Sequence, residues 1–120
     1  MKKILVTIFT LSFMAFAIHA MASKGGGGSA RKGAQLFATK GCTACHTIGK
    51  GKLVGPDLKG VTKTRTVRWL ADWLKNTTKM QATDPTAKKL LQEYNVPMPQ
   101  QNLTDQEIKD LIDYFKSNDK

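Results

Sequence analysis

The chain of 120 residues is long enough for a single small domain, and its formal net charge is +10. Residues 24–79 hold 12 of the 19 basic side chains and only two acids, a distribution that predicts an acidic partner surface, an anionic cofactor or nucleic acid. The chain lacks the compact arginine-rich run with interleaved aromatic residues that is typical of nucleic-acid binding, so we expect no nucleic-acid partner.

Residues 1–22 have the layout of a secretory signal peptide. Two lysines precede an apolar run over residues 4–18, and the small residues Ala-Met-Ala end the segment. Because the apolar run is short for a membrane-spanning helix, we expect cleavage after Ala22 and a periplasmic protein. An uncleaved segment that anchors the protein to the membrane is the alternative.

The segment SKGGGGS at residues 23–29 predicts a flexible linker, and residues 30–120 are expected to form the folded domain. Within that domain the spacing of apolar residues indicates four short helices. They are predicted at residues 30–40, 66–75 and 85–94, with a last helix that begins at residue 105.

Helix-start signals support these predictions. Ser29 can cap the first helix, and Pro85 suits the first turn of the third. Thr104 and Glu107 form a capping box at the start of the last helix. Residues 41–64 are rich in glycine and predict a long loop, and no segment has the alternation of a strand. The fold class is therefore predicted to be all-α, and loops of this length indicate that something is packed between them.

The two cysteines of the chain lie in GCTACHTIG, residues 41–49. Cys42 and Cys45 are three positions apart and His46 follows directly, which is the C-x-x-C-H signature of covalent haem attachment. Two thiols at this spacing can each add to one vinyl group of a haem. The imidazole of the next residue is then held under the iron, where it can bind as an axial ligand.

Three other uses of the cysteine pair fit the sequence less well. A thioredoxin-like redox disulfide requires a preceding strand, and no strand is predicted before Cys42. A structural zinc site requires four ligands, and the remaining candidate, His19, lies in the segment that we expect to be removed. A plain disulfide or two unused thiols would leave the adjacent His46 and the glycine-rich loop without a purpose.

On this motif, and on GPDLKGV and VPMPQQNLTDQEIKDLIDYF that follow it in order, the chain resembles the small class I c-type cytochromes over residues 30–117. The resemblance implies a cytochrome c-like fold, with about four short helices and long loops wrapped around one covalently bound haem c. The chain departs from the shortest members of that family over residues 61–96, where it has an inserted tryptophan-containing helix.

The resemblance implies a methionine as the second axial ligand of the iron, from a loop before the last helix. Met98 fits this position, because Pro99 after it favours extended backbone and the capping box of the last helix follows. Met80 has no such setting, and we expect it to fill a gap in the core or to be exposed. Thioether ligation raises the reduction potential above that of two nitrogen ligands.

The resemblance also implies roles for residues around the haem. Pro56 corresponds to the proline whose carbonyl accepts the second N–H of the axial histidine, and Leu58 would pack on the haem. Arg65 is the best candidate to bind the haem propionates, because a guanidinium matches a carboxylate. Trp69 belongs to the same part of the pocket, whereas Lys63 is expected to be an ordinary solvated charge.

Gly33 interrupts the first predicted helix, where a glycine lowers helix stability. The resemblance supplies a reason, because Gly33 and Phe37 match a pair that meets an aromatic residue of the last helix, here Tyr114. A glycine at that point would allow the two helices to approach closely.

The resemblance implies a monohaem electron carrier, not an enzyme, that passes single electrons between respiratory-chain proteins outside the cytoplasmic membrane. Its partners would be redox proteins with acidic docking surfaces, such as a terminal reductase or oxidase and an upstream quinol-oxidising complex, and we expect a monomer. The alternative is a haem enzyme or gas-binding sensor with a displaceable sixth ligand. The sequence has no distal histidine, which disfavours that alternative.

Overall fold

The computed structural model describes residues 28–120. The predicted signal peptide and residues 23–27 of the predicted linker lie outside the described residues. Within residues 28–120 the chain is helical and has no strand, which confirms the predicted all-α class. Six α-helices follow one another: α1 (Ala30–Thr39), α2 (Val61–Thr64), α3 (Val67–Lys75), α4 (Thr77–Thr83), α5 (Pro85–Tyr94) and α6 (Asp105–Asn118).

The predicted helix starts are present. The Ser29 hydroxyl accepts the Lys32 N–H at 3.3 Å, which caps α1. Pro85 occupies the first turn of α5. At α6, the Thr104 hydroxyl accepts the Glu107 N–H at 3.2 Å and the Glu107 carboxylate accepts the Thr104 N–H at 2.8 Å. The first and last helices thus begin where local side chains satisfy their free N–H groups.

The short helices α2 and α4 were not predicted, because their stabilising contacts come from distant residues. The buried carboxylate of Asp119 accepts the N–H groups of Gly60 and Thr62 at 2.6 and 2.9 Å, so α2 is capped from the end of α6. In α4, the Thr78 N–H donates to Gln100 Oε1 at 3.2 Å, 22 positions along the chain. Helices of this length depend on tertiary contacts rather than on intrinsic propensity.

The α1–α6 contact requires a residue without a side chain at position 33. A Cβ added to Gly33 would lie 2.0 Å from the Asp110 carbonyl oxygen and 2.6 Å from the Cβ of Tyr114. The Phe37 ring, one turn along α1, lies 5.7 Å from the Tyr114 ring between centroids. The structure therefore has the close helix approach that the resemblance implied for Gly33, Phe37 and Tyr114.

The core lies between α1, α3 and α6. Aliphatic and aromatic side chains from these helices exclude water from one continuous cluster. Its buried members are Phe37, Leu70, Leu74, Ile108, Leu111, Ile112 and Phe115. Among residues 28–120, none of the helices combines the length and the hydropathy that a membrane span requires.

Candidate cofactor site

A cavity of about 410 Å³ lies next to this core. Its size falls in the range of cofactor and ligand sites. The loop after α1, helices α3 and α5, and the loop before α6 contribute to its walls. Eight residues that the sequence assigns to haem binding line it: Cys42, Cys45, His46, Pro56, Leu58, Arg65, Trp69 and Met98.

A short 3-10 turn at Cys42–Ala44 brings the cysteine pair and the histidine to the cavity. The turn begins at Gly41, whose φ of +76° favours glycine. The N–H groups of Cys45 and His46 both donate to the Cys42 carbonyl, at 3.1 and 2.9 Å. Cys42 and Cys45 do not form a disulfide with each other, and burial raises the pKa of the Cys42 thiol.

Cys42, Cys45 and His46 are not arranged as a zinc site. In the described part of the chain, no group of three or more His, Cys, Asp or Glu side chains is arranged to hold a metal ion. The cavity instead presents two thiols, one imidazole and one thioether, which are the groups that a covalently attached haem uses.

The His46 ring packs against Gly55 and is hydrogen-bonded to Pro56. Its Nδ1 donates to the Pro56 carbonyl oxygen at 2.9 Å. Because a carbonyl only accepts, Nδ1 carries the proton, and in the neutral ring Nε2 carries the lone pair that can bind iron. A Cβ added to Gly55 would lie 2.6 Å from Cε1 of the ring. In the sequence Gly55 is one of several glycines in a predicted loop, and in the structure its lack of a side chain allows the ring to lie there.

Asp57 organises the loop that carries Pro56. Its carboxylate accepts the N–H groups of Gly49 and Gly51, each at 2.7 Å, and that of Lys59 at 2.9 Å. These hydrogen bonds, with Gly49 first, lower the pKa of Asp57. Both glycines have positive φ, +84° and +89°, which an L side chain rarely adopts. The sequence did not single out Asp57, although its place next to Pro56 was a possible signal.

Met98 lies in the loop before α6 and is held there by a glutamine of α4. The Gln81 Nε2 donates to the Met98 carbonyl at 2.9 Å, and the Met98 N–H donates to Gln81 Oε1 at 3.1 Å. A second glutamine, Gln100, ties the same loop to the Lys75 carbonyl at 2.7 Å. Met80 is half-buried on α4 and does not belong to the cavity wall. Gln81 could not be identified from the sequence because α4 was not predicted, and Gln100 because its partner Lys75 is 25 positions away.

Arg65 and Trp69 form one wall of the cavity. The guanidinium carbon of Arg65 lies 5.5 Å from the centroid of the Trp69 ring, and Nη1 donates to the Thr64 carbonyl at 3.0 Å. The Trp69 ring stacks on Trp73, with 5.5 Å between centroids and an angle of 8° between planes. The indole N–H of Trp69 donates to Asp84 Oδ1 at 3.3 Å. Trp69 therefore supplies apolar surface while its N–H binds Asp84, and Arg65 is the cationic group of this wall.

Comparison with known proteins identifies the family of the chain. Residues 30–119 match the family model of cytochrome c. Cytochrome c from Rhodothermus marinus has a similar structure, with a TM-score of 0.69 and 33% sequence identity over 73% of this chain and 74% of that chain. An engineered cytochrome c from the same organism, bound to a carbene intermediate, has a TM-score of 0.65 and 33% identity, again over 73% of this chain and 74% of that chain.

A curated relative matches over a shorter segment. Cytochrome c-551 from Azotobacter vinelandii is 60% identical over 30 residues, which are 25% of this chain and 35% of that protein. The match thus spans about a third of that relative's length, whereas the family model covers residues 30–119. The chain belongs to the cytochrome c family, and its cofactor is a covalently attached haem c.

Proposed function

We propose that this protein is a monohaem electron carrier that passes single electrons between respiratory-chain proteins in the periplasm. The observation that carries the proposal is that His46 and Met98 line one cavity and are each held by hydrogen bonds to another segment. With an imidazole and a thioether both bound to iron, no coordination position remains for a substrate. Electron transfer is then the chemistry that the site supports.

Each site residue has a role in this proposal. Cys42 and Cys45 would attach the cofactor through thioether bonds, and His46 and Met98 would bind its iron. A bound haem supplies one-electron chemistry at its iron. The Pro56 carbonyl orients the His46 ring through the hydrogen bond at Nδ1. Leu58 and Trp69 provide apolar surface.

Arg65 is the residue that we propose for binding a haem propionate. Its guanidinium lines the cavity and uses one of its five N–H donors on the Thr64 carbonyl. The stack on Trp69 restrains its orientation.

The cavity mouth has features of a transient docking surface. Val54 and Val96 contribute to the cavity wall and keep 43% and 51% of their surface exposed. Lys59 also belongs to the wall, and the Lys52 ammonium lies 4.5 Å from the centroid of the Tyr94 ring, which faces the same cavity. A small apolar patch with basic residues around it suits brief encounters with an acidic redox partner.

The partners that we propose are a terminal reductase or oxidase and a quinol-oxidising complex, with the protein acting as a monomer between them. The basic distribution over residues 24–79 supports acidic partners. The signal-peptide layout of residues 1–22 supports the periplasm. If that segment is retained, the carrier would be anchored to the membrane.

A haem enzyme or gas sensor is the second candidate. The observation that favours it is the engineered Rhodothermus marinus cytochrome c that is bound to a carbene intermediate. Such chemistry requires an open position on the iron, so Met98 would have to be absent from it or easily displaced. The two hydrogen bonds between Met98 and Gln81 oppose displacement.

Substitution of Met98 distinguishes the two candidates. We expect the ferric wild type to show the weak far-red band of sulfur-to-iron charge transfer, and Met98→Ala to abolish it and lower the reduction potential. The reduced wild type should bind carbon monoxide slowly and Met98→Ala rapidly. Met80→Ala is the matched control and should keep the band. Rapid carbon monoxide binding by the wild type would instead favour the enzyme or sensor.

A further inference from the structure

The Gln81 side chain pairs with both backbone polar groups of Met98. Its amide donates to the Met98 carbonyl at 2.9 Å and accepts the Met98 N–H at 3.1 Å. One planar amide thus closes a ring with one residue, as the backbone groups of two antiparallel strands do. This pairing sets the orientation of the Met98 peptide groups as well as their distance from α4.

The neighbours of Met98 increase the importance of this pairing. Pro97 and Pro99 have no backbone N–H, so the tripeptide contains one backbone donor, which belongs to Met98. That donor is bound by Gln81. Gln81 therefore accepts the one hydrogen bond that the backbone of residues 97–99 can donate.

Gln81 is itself held on a fixed support. Its Nε2 lies 3.4 Å from the Thr77 carbonyl, one turn earlier in α4. Thr77 is fully buried and its hydroxyl donates to the Trp73 carbonyl, which joins α4 to α3. Gln81 and Met98 also line the same cavity. The glutamine can therefore transmit the position of α3 and α4 to the methionine.

We propose that Gln81 is a positioning residue that holds Met98 in place as the sixth ligand of the haem iron. The inference rests on the proposed ligation by Met98 and adds the residue that makes this ligation persistent. Glutamine suits the role because it donates and accepts at once, whereas an ionised carboxylate only accepts and a methionine offers no amide. A ligand that is held in its binding geometry loses less entropy on binding.

The test uses the haem-loaded protein with Gln81→Met, which keeps side-chain length and removes the amide. The loss of two hydrogen bonds should raise the population with Met98 off the iron by about tenfold. Carbon monoxide should then bind to the reduced variant about tenfold faster than to the wild type. The ferric far-red band should weaken. Gln81→Glu is a second variant that keeps the acceptor for the Met98 N–H and loses the donor, and its carbon monoxide binding should also be faster than in the wild type.

Gln100→Met is the matched control. Gln100 joins the same loop to the Lys75 carbonyl and the Thr78 N–H, at 2.7 and 3.2 Å, without bonding to Met98. We expect this variant to lose stability in urea while its carbon monoxide binding stays like that of the wild type. Equal acceleration in both variants would show general anchoring of the loop and overturn the specific role of Gln81.

The remaining outcomes separate this inference from the proposed function. A wild type with the far-red band, together with an unchanged Gln81→Met protein, would refute positioning by Gln81 and leave ligation by Met98 intact. A wild type without the band would refute ligation by Met98 and, with it, the role of Gln81.

Discussion

At the scale of single residues, a surface carboxylate organises the loop that is hydrogen-bonded to the His46 ring. Asp57 accepts three backbone N–H groups, and two of them belong to glycines in the left-handed region. The residue before it is Pro56, whose carbonyl binds the His46 ring. The hydrogen bonds of Asp57 therefore act on the His46 ring through one peptide bond and one hydrogen bond.

The charge of Asp57 should contribute to stability in a pH-dependent way. The N–H groups of Gly49, Lys59 and Gly51 lower its pKa below the ordinary value of 3.8, so folding favours the ionised form. This contribution is complete above the ordinary pKa and is lost as the pH falls through the lowered pKa. We expect Asp57→Asn to lower the urea midpoint of unfolding at neutral pH, with a difference from the wild type that shrinks in acid.

Asp72→Asn, on an exposed position of α3, is the control for Asp57→Asn. It removes the same charge, and its urea midpoint should stay close to that of the wild type. If the difference between Asp57→Asn and the wild type were the same at neutral and acid pH, the pH-dependent role of the carboxylate would be wrong.

At the scale of the elements, α1 and α6 are joined by a close backbone contact and by a buried carboxylate. Gly33 lies against the backbone of Asp110. The buried Asp110 carboxylate accepts the Ser29 N–H at 2.7 Å and the Gln106 side-chain amide at 3.1 Å. The start of α1 is thus tied to the middle of α6, and the two helices hold one side of the core.

Gly33→Ala tests this contact, because helix propensity and steric overlap predict opposite changes in the free energy of unfolding. Helix propensity alone would make the alanine more stable by about 1 kcal/mol. Overlap with the Asp110 carbonyl, which no rotamer change can relieve, should instead destabilise the protein by about 1–3 kcal/mol. The free energy of unfolding of the haem-loaded protein, measured in urea, gives the answer.

Ala38→Gly, on an exposed position of α1, measures helix propensity without the overlap. It should cost about 1 kcal/mol or less. A Gly33→Ala protein that is more stable than the wild type would contradict the close α1–α6 contact.

At the scale of the whole molecule, charge should direct how the protein meets its partners. The formal net charge is +10, and the basic residues concentrate over residues 24–79. Lys59 from this segment lines the cavity, and Lys52 lies over the ring of Tyr94, which also lines it. The field of such a surface attracts anions over a distance of about 30 Å at an ionic strength of 0.01 M and about 8 Å at 0.15 M.

The rate of electron transfer should therefore depend on salt concentration, and the charge of the oxidant should decide whether the rate falls or rises. With ferricyanide as an anionic oxidant, the rate for the reduced protein should fall as salt rises. With a cationic cobalt(III) complex the rate should rise. Stopped-flow absorbance of the haem measures both, and a flat response to salt with both oxidants would argue against steering.

Lys52→Gln and Lys116→Gln change the net charge equally and differ in place. Lys52 lies over a ring of the cavity wall, whereas Lys116 on α6 pairs with Asp113 at 3.5 Å. The rate with ferricyanide should decrease more in Lys52→Gln, because the local field at the mouth controls the encounter. Equal decreases would show that net charge alone matters.

The sequence by itself determined the features that depend on local spacing. The C-x-x-C-H motif identifies the attachment site because both thiols and the imidazole must lie within one turn of the chain. The capping box at Thr104 and Glu107 located the start of α6 for the same reason, since its partners are three residues apart. The absence of strand alternation set the all-α class.

Only the tertiary structure decided the features that join distant parts of the chain. Asp119 caps α2 across 57 positions at Thr62, and Gln81 holds Met98 across 17 positions. Gly55 leaves room for the ring of His46, and this packing exists only in the folded chain. Such contacts leave no periodic or nearest-neighbour signal, because each depends on a fold that brings two separate segments together.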